Sequence, residues 1–171
     1  TNGGFVSSLV ALLVADDYRE KRDNERAEDY LRTALGPKLS EYGNVSVERI
    51  FEIPKAKDQI ERGKALLSGY KGAGADYVNF HWYIEDTEAL DEAVSYLENT
   101  TGLAAMTNEI GQQKSEDPSQ VTSVMQKVVD LGIPYAVWFS VDVPGYGQAR
   151  SLVDENGNLR ANGEAFAEFI E

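Results

Sequence analysis

The chain has 171 residues, 42% hydrophobic and 26% charged, which is the composition of a folded globular protein and excludes a disordered one. At this length a single domain, residues 1–171, buries roughly 70% of its unfolded surface. The formal net charge of −13 repels phosphate and anionic lipid, so neither nucleic acid nor a membrane is expected as a partner, and the absence of cysteine excludes disulfides and zinc–thiolate sites.

Helical patterns occupy the first part of the chain. One helical stretch is predicted from about Phe5 to Leu35, and its interleaved acids and bases after Ala15 indicate a solvated helix surface. A second helix is predicted from about residue 57 to 70. Between them, residues 44–54 fit either a loop or a short extra strand. The first four residues are expected to be the exit of a strand whose body lies outside this sequence.

Three short apolar runs, rich in β-branched and aromatic residues, predict buried parallel strands near residues 76–83, 103–108 and 134–141. Helical patterns separate them, one from about residue 87 to 99 and the other from residue 118 to 131. Strand, helix, strand, helix, strand is a pair of parallel crossovers. The predicted fold class is therefore α/β.

The segment after the third strand predicts a hairpin and a closing helix. Asn156 and Gly157 indicate a tight turn, and the helix is predicted from about Asn162. Residues 154–158 imitate the start of a calcium loop, but the glycine comes too early, so the hairpin is the preferred interpretation. The single histidine, His81, excludes multi-histidine metal sites, although counting leaves an all-carboxylate site open. No cofactor is predicted.

Residue parity assigns the side chains of each strand to two faces. One face is wholly apolar in all three strands and suits packing against helices. The other is small or polar and carries Asn79, His81 and Tyr83, then Ala105, Thr107 and Glu109, then Ala136, Trp138 and Ser140. An open doubly wound sheet buries both faces, whereas a barrel lays helices only on its outside and gathers its active site at the strand ends. The pattern favours a barrel, and three strands make it a partial one.

Glu109 ends the second apolar run, and a carboxylate at that place is a catalytic candidate. Glycoside hydrolysis uses a pair of carboxyl groups, and a nearby phenol or imidazole can orient one of them. Tyr83 and His81 suit that part, and the indole of Trp138 could stack on a sugar. Each also has a purely structural interpretation, as a rim carboxylate, a rim aromatic, a buried imidazole or a core indole. Trp82 has the opposite parity and is predicted on the helix-packed face.

Three motifs in the second half of the chain carry a family resemblance. Residues 78–83 end in His-x-Tyr, residues 107–111 read Thr-Asn-Glu-Ile-Gly, and residues 136–139 read Ala-Val-Trp-Phe before the closing segment of residues 152–166. They resemble the sixth strand, the seventh-strand nucleophile motif, and the eighth strand of retaining glycoside hydrolases in the (β/α)8-barrel superfamily called clan A. The resemblance covers roughly residues 75–171; the earlier residues match only as helices that follow a fifth strand.

The resemblance implies a partial (β/α)8 TIM barrel, from the end of strand 5 through strand 8, and hydrolysis of an O-glycosyl bond with retention. The implied roles are Glu109 as the catalytic nucleophile, Tyr83 as the residue that orients it, and His81, Trp138 and Asn79 as substrate-binding residues. The family's fourth-strand acid/base motif also reads Asn-Glu. That alternative is rejected because one further strand follows Glu109 in this sequence, where four would be expected.

The acid/base residue is accordingly expected outside this sequence, and the isolated chain is expected to be inactive or weakly active. A half barrel leaves sheet edges and an inner face open, so we expect it to pair with the missing N-terminal half-barrel or with another copy. Two other functions stay open: a non-catalytic carbohydrate-binding fragment, and a half-barrel assembly module. The resemblance is compatible with a secreted or cell-envelope location, which the sequence itself leaves unknown.

Overall fold

The computed structural model describes residues 5–43, 45–112, 116–141 and 151–171. Its first half contains α1 (Ser7–Glu20), α2 (Asn24–Leu35), two 3-10 helices (Gly36–Tyr42 and Val47–Glu52) and α3 (Pro54–Gly72). Its second half contains β1 (Tyr77–Trp82), α4 (Thr87–Thr101), β2 (Ala104–Ile110), α5 (Pro118–Asp130), β3 (Ala136–Trp138) and α6 (Ala161–Ile170).

The predicted crossovers are confirmed, since β1, β2 and β3 form one parallel sheet in that order. The strand bounds differ from the prediction in two places. β2 continues to Ile110, so Glu109 lies within the strand and not in the loop after it. β3 is limited to Ala136–Trp138, three residues where the prediction spans residues 134–141. The chain is therefore a mixed α/β structure built on three parallel strands.

The long helix predicted from Phe5 to Leu35 is wrong, because the chain turns between α1 and α2. Arg22 adopts a positive φ of 65°, which ends the first helix. The side chain of Asp23 then accepts a hydrogen bond from the Arg26 N–H and caps the second. The solvated charges of this region are thus shared between two packed helices.

A short extra strand at residues 44–54 was one of two predicted possibilities, and the structure has a 3-10 helix at Val47–Glu52 instead. Val47 and Ile50 are both buried. Their three-residue spacing matches the turn of a 3-10 helix, which brings both side chains to the core.

The apolar face of the sheet packs against helices, as predicted for β1. Val78, Phe80 and Trp82 are at most 1% exposed, and Leu90 and Leu97 of α4 are fully buried in the same core. Complete burial of side chains of this size contributes roughly 1.5–3 kcal/mol each. This face therefore stabilises the sheet and leaves the opposite face available for chemistry.

The edge of β1 that lies away from β2 is also occupied. Phe5 forms a parallel bridge with Phe80, donates its N–H to the Asn79 carbonyl at 3.3 Å and accepts from the His81 N–H at 2.7 Å. The strand exit predicted for residues 1–4 lies outside the described residues. Phe5 itself lies where a residue of a neighbouring parallel strand would lie.

The hairpin predicted after the third strand is confirmed by an antiparallel bridge between Val153 and Leu159. The Asp154 carboxylate accepts the N–H groups of Asn156 and Asn158, each at 2.8 Å, and Gly157 has a φ of 82°. The hydrogen bonds from Asn158 are the main reason that the pKa of Asp154 is lowered. This carboxylate therefore organises a turn.

Within the described ranges, no helix combines the length and the apolar character needed to cross a membrane.

Candidate active site

Glu109 lies directly across from His81 in the β1–β2 register, and two side chains of the β1 segment contact its carboxylate. The Tyr83 hydroxyl donates to Glu109 Oε1 at 2.5 Å, the length of a charge-assisted O–H···O bond. His81 Nδ1 lies 3.3 Å from Glu109 Oε2. The side chain of Glu109 keeps 27% of its exposure, whereas that of His81 keeps 5%. The two contacts fix the plane of a carboxylate that solvent still reaches.

A β-bulge at Asn108 determines the face on which Glu109 stands. Thr107 pairs with Phe80, but the next pair in the register is Glu109 with His81, so Asn108 is skipped in the residue pairing with β1. Paired residues in neighbouring strands point to the same face. Thr107 therefore lies with Phe80 on the helix-packed face, where it is fully buried. Glu109 lies with His81 on the other face, which we call the open face.

The predicted face of Ala105 and Thr107 is consequently wrong. Both residues are fully buried on the helix-packed side, whereas parity had grouped them with Glu109. The extra residue in β2 reverses the alternation after Thr107. Asn79 is on the open face as predicted, and its Oδ1 accepts a hydrogen bond from the Asn108 N–H at 3.0 Å.

The end of β1 is held by Ser7, in the first turn of α1. The Ser7 hydroxyl donates to the His81 carbonyl at 3.1 Å and accepts from the Tyr83 N–H at 3.0 Å. Ser7 is 3% exposed, so water does not compete for either bond. A residue 74 positions away thus fixes the backbone from which both contacts to Glu109 arise. Sequence reasoning missed Ser7, because nothing in the pattern of an apolar helix marks one serine as a backbone clamp.

Trp138 and Glu109 lie on opposite faces of the sheet, so the prediction that they share a face is wrong. Trp138 pairs with Ile110 of β2, which is 2% exposed on the helix-packed side. Its ring packs against Phe166 of α6 at a centroid distance of 5.8 Å, and it lines an apolar cavity of about 280 Å³ between β3, α5 and α6. Ala136 lines the same cavity. The apolar side chains of α5 and α6 account for this orientation, since they offer an indole more contact than the open face does.

Phe139 is an aromatic residue that does reach the site. Its ring meets the Tyr83 ring edge to face, at a centroid distance of 6.2 Å and an angle of 87°. Tyr135 lies on the same face, where its ring meets Tyr77 at 5.4 Å. The Tyr135 phenol is also the main reason that the pKa of Tyr77 is raised. Alternation along the third strand predicted Phe139 and Tyr135 on the helix-packed face, and that assignment is wrong.

The strand ends around Glu109 are connected by buried polar groups. Gln112 donates to the Asp117 carbonyl at 2.8 Å and accepts from the Asn162 side chain at 2.6 Å. Gln112 and Asn162 are at most 2% exposed. These bonds join the exit of β2 to the starts of α5 and α6. They hold the exit of β2, residues 110–112, in a defined position.

Among the residues described, no group of three or more histidine, aspartate or glutamate side chains is arranged to hold a metal ion. Glu109 is contacted by one phenol and one imidazole. Such a set orients a carboxylate for nucleophilic or base chemistry, because a phenol donates a hydrogen bond to the carboxylate and leaves its other lone pairs free.

The chain is similar to a known protein family and to a solved structure. The family model described as "Glycosyl hydrolase catalytic core" matches residues 59–166, more than half of the chain. Among solved structures, a GH128 (subgroup VII) oligosaccharide-binding protein from Trichoderma gamsii is similar at 20% identity and a TM-score of 0.43. That match covers 56% of this chain and 41% of that protein. No curated protein matches this chain. The family match includes β1, β2, β3 and Glu109, and by it the chain belongs to the glycosyl hydrolase catalytic core family.

Proposed function

We propose that this chain carries the nucleophile of a retaining glycoside hydrolase that cleaves O-glycosyl bonds, and that Glu109 is that nucleophile. The observation that carries the proposal is the 2.5 Å hydrogen bond from the Tyr83 hydroxyl to Glu109 Oε1, with His81 at the other oxygen. It occurs on a partly exposed carboxylate in a chain of the glycosyl hydrolase catalytic core family. Tyr83 orients the nucleophile without acting on the substrate.

The reaction follows from the chemistry of a positioned carboxylate. A Glu109 oxygen attacks the anomeric carbon while the bond to the leaving oxygen breaks, and a general acid gives that oxygen its proton. The product is a glycosyl ester on Glu109. Water then attacks the same carbon, loses a proton to the former acid, and releases the sugar with its original configuration. The Tyr83 hydrogen bond holds the carboxylate plane throughout, which restricts the attack to one direction.

The second carboxyl group has to lie roughly 5–5.5 Å from the nucleophile in a retaining enzyme. The side chains that contact Glu109 are a phenol and an imidazole, and neither of them is that second carboxyl group. We assign the acid/base to the N-terminal half-barrel with which this sheet would pair. In this proposal residues 1–171 form the C-terminal half of a (β/α)8-barrel domain, and the open face of the sheet is part of the barrel interior.

Saccharide binding is assigned to the open face. Tyr135 is 56% exposed there, and the Phe139 ring lies beside Tyr83. Aromatic rings offer apolar faces on which the C–H groups of a sugar can stack. His81 lines the same place and contacts Glu109. Trp138 is replaced in this role by Phe139, because its ring packs on the opposite side of the sheet.

A second candidate function is saccharide binding without hydrolysis, with Glu109 bonding sugar hydroxyls. The aromatic side chains of the open face favour it as well as they favour catalysis. A third, which leaves carbohydrate aside, is a half-barrel assembly module, and the exposure of Val137 (55%) and Tyr135 on the sheet favours it. The three differ in whether a covalent bond forms to Glu109 and whether a saccharide binds at all.

The deciding experiment is covalent trapping. The probes are 2-deoxy-2-fluoro-β-glycosyl fluorides of the gluco, galacto, manno and xylo configurations. They are incubated with the 171-residue chain and with the full-length protein, which in this proposal is the chain together with its N-terminal half-barrel. Their good leaving group removes the need for a general acid, so the nucleophile is tested by itself. We expect one glycosyl adduct by intact mass spectrometry, mapped to Glu109 by peptide sequencing.

Glu109→Gln is expected to lose the adduct, and Glu155→Gln, which changes an exposed carboxylate in the hairpin turn, is expected to keep it. An adduct on another residue, or undiminished turnover of 2,4-dinitrophenyl β-glycosides by Glu109→Gln, would reject Glu109 as the nucleophile. If calorimetry detects saccharide binding while neither an adduct nor turnover is found, the binding function is favoured. If saccharides leave the thermal stability unchanged and light scattering shows self-association, the assembly module is favoured.

A further inference from the structure

We propose that Asn79 is a positioning residue, which holds the β-bulge at Asn108 and thereby keeps Glu109 on the open face of the sheet. The role of Glu109 as a nucleophile rests on the proposed function. The bulge and its side-chain support do not, because they are features of the register and of two hydrogen bonds. The proposal also gives Asn79 a place in the site other than the substrate contact predicted from the sequence.

The register shows what the bulge accomplishes. Without the extra residue, Asn108 would pair with His81 and Glu109 with Trp82, because the pairing advances by one residue at a time. Trp82 is 1% exposed on the helix-packed face. A regular strand would therefore point the carboxylate into the apolar core and away from the Tyr83 hydroxyl. The contact between Tyr83 and Glu109 exists only in the bulged register.

Two side chains satisfy the backbone of the bulge. Asn79 Oδ1 accepts from the Asn108 N–H at 3.0 Å, and Thr107 Oγ1 lies 3.3 Å from the Glu109 nitrogen, whose N–H it accepts. A bulge disrupts the strand ladder locally, so an amide there needs a partner from a side chain or from water. Asn79 is the partner that comes from the neighbouring strand. It therefore ties the bulge to β1, the strand that carries Tyr83 and His81.

The two side chains differ in burial. Thr107 is fully buried on the helix-packed face, so its replacement would change packing as well as hydrogen bonding. Asn79 is partly exposed on the open face, and its amide can be changed with little effect on the core. Asn79 is consequently the position at which the bulge can be tested by itself.

The experiment measures hydrogen exchange at individual amides of the 171-residue chain by NMR. In Asn79→Ala the Asn108 amide is expected to exchange about 2- to 13-fold faster, the factor that one hydrogen bond of ordinary net strength contributes. Amides in the middle of β1 are expected to keep their rates. Asn79→Asp keeps an acceptor oxygen and is expected to keep the protection of Asn108. Asn99→Ala, an exposed asparagine in α4, is the matched control.

An unchanged Asn108 rate in Asn79→Ala would overturn the proposal, as would lost protection in Asn79→Asp or an equal acceleration of all β2 amides. In the full-length protein, hydrolysis of a 2,4-dinitrophenyl β-glycoside gives the second measurement. A positioning role predicts a lower kcat with little change in KM, and a substrate contact predicts the reverse. If no variant and no wild-type protein hydrolyses the glycoside, the proposed function fails, while the exchange rates still decide the role of Asn79.

Discussion

Gly111, directly after β2, lies so close to the end of the third strand that a methyl group does not fit. A Cβ at this position would lie 2.4 Å from the Phe139 carbonyl oxygen and 3.4 Å from Tyr83 Cε1. Real Cβ atoms essentially never approach another heavy atom within 3.0 Å, so the carbonyl would have to recede by at least about 0.6 Å, the difference between 3.0 and 2.4 Å. The obstacle is main chain, which cannot rotate aside as a flexible side chain would.

The strand therefore has to move as a unit in Gly111→Ala. The movement would stretch the 2.7 Å bond from the Phe139 N–H to the Ile110 carbonyl and shift the Phe139 ring from Tyr83. Insertion of a methyl group into a packed region costs typically 1–3 kcal/mol. We expect the free energy of unfolding to fall by about that amount. Gly69→Ala is the control, because a Cβ at that position of α3 meets nothing within 4 Å.

The control is expected to gain about 0.5–1 kcal/mol, since alanine replaces glycine inside a helix. Urea unfolding followed by circular dichroism measures both variants. With a slope of about 2 kcal/mol per molar urea, Gly111→Ala should lower the midpoint by about 0.5–1.5 M, and Gly69→Ala should raise it by about 0.3–0.5 M. Equal stability of Gly111→Ala and the wild type, at an unchanged slope, would refute the argument from the Phe139 carbonyl.

Two further predictions concern groups that hold the helices to the sheet. Ser7→Ala removes the hydroxyl that bonds the His81 carbonyl and the Tyr83 N–H at the end of β1, so the free energy of unfolding should fall by about 1–3 kcal/mol. The fall should be smaller in Ser7→Thr, which keeps the hydroxyl, and urea unfolding measures both. Burial lowers the pKa of Lys64, but hydrogen bonds to Asp16 and Glu20 outweigh it and leave the pKa raised above 10.5. A raised pKa means that the stabilisation is fully present below pH 10.5 and is lost as the pH rises through the folded-state pKa. Lys64→Met should remove the contribution of Lys64 to that alkaline loss in a pH series of thermal unfolding. It should cost at most about 1 kcal/mol at pH 7, because the Lys64 side chain is 37% exposed and solvent screens its ion pairs. An unchanged alkaline limb would contradict the assignment.

Much of the fold and part of the site were predictable because the relevant signals are local. The apolar alternation of Val78, Phe80 and Trp82 specified the buried face of β1, and the glycine and proline positions separated strands from helices. The same alternation placed Tyr83 and His81 together. Because neighbouring parallel strands end at one edge of a sheet, Glu109 was expected beside them, and the hydrogen bond to Tyr83 has the expected partner.

The faces of Ala105 and Thr107 could not be obtained in that way. Ala105 and Thr107 are small enough for either face, so their side chains carry no signal of the bulge that reverses the alternation at Asn108. In β3, the sequence Tyr-Ala-Val-Trp-Phe contains large apolar residues of both parities. The choice between them depends on α5 and α6, whose side chains enclose Trp138, and this is tertiary information.

The surroundings of Glu109 are assembled almost entirely by contacts between distant parts of the chain. Tyr83 lies 26 residues from Glu109, Asn79 lies 29 residues from Asn108, and Ser7 lies 74 residues from His81. Each contact is a hydrogen bond or two, worth about 1 kcal/mol apiece, whereas the core beneath them contains many fully buried side chains. Local opening of the site therefore requires less free energy than unfolding of the domain. It follows that a change in α1 or at the bulge can release the Tyr83 hydroxyl from Glu109 while the sheet stays folded. Loss of that hydrogen bond is therefore a more sensitive sign of damage to the site than any measure of global stability.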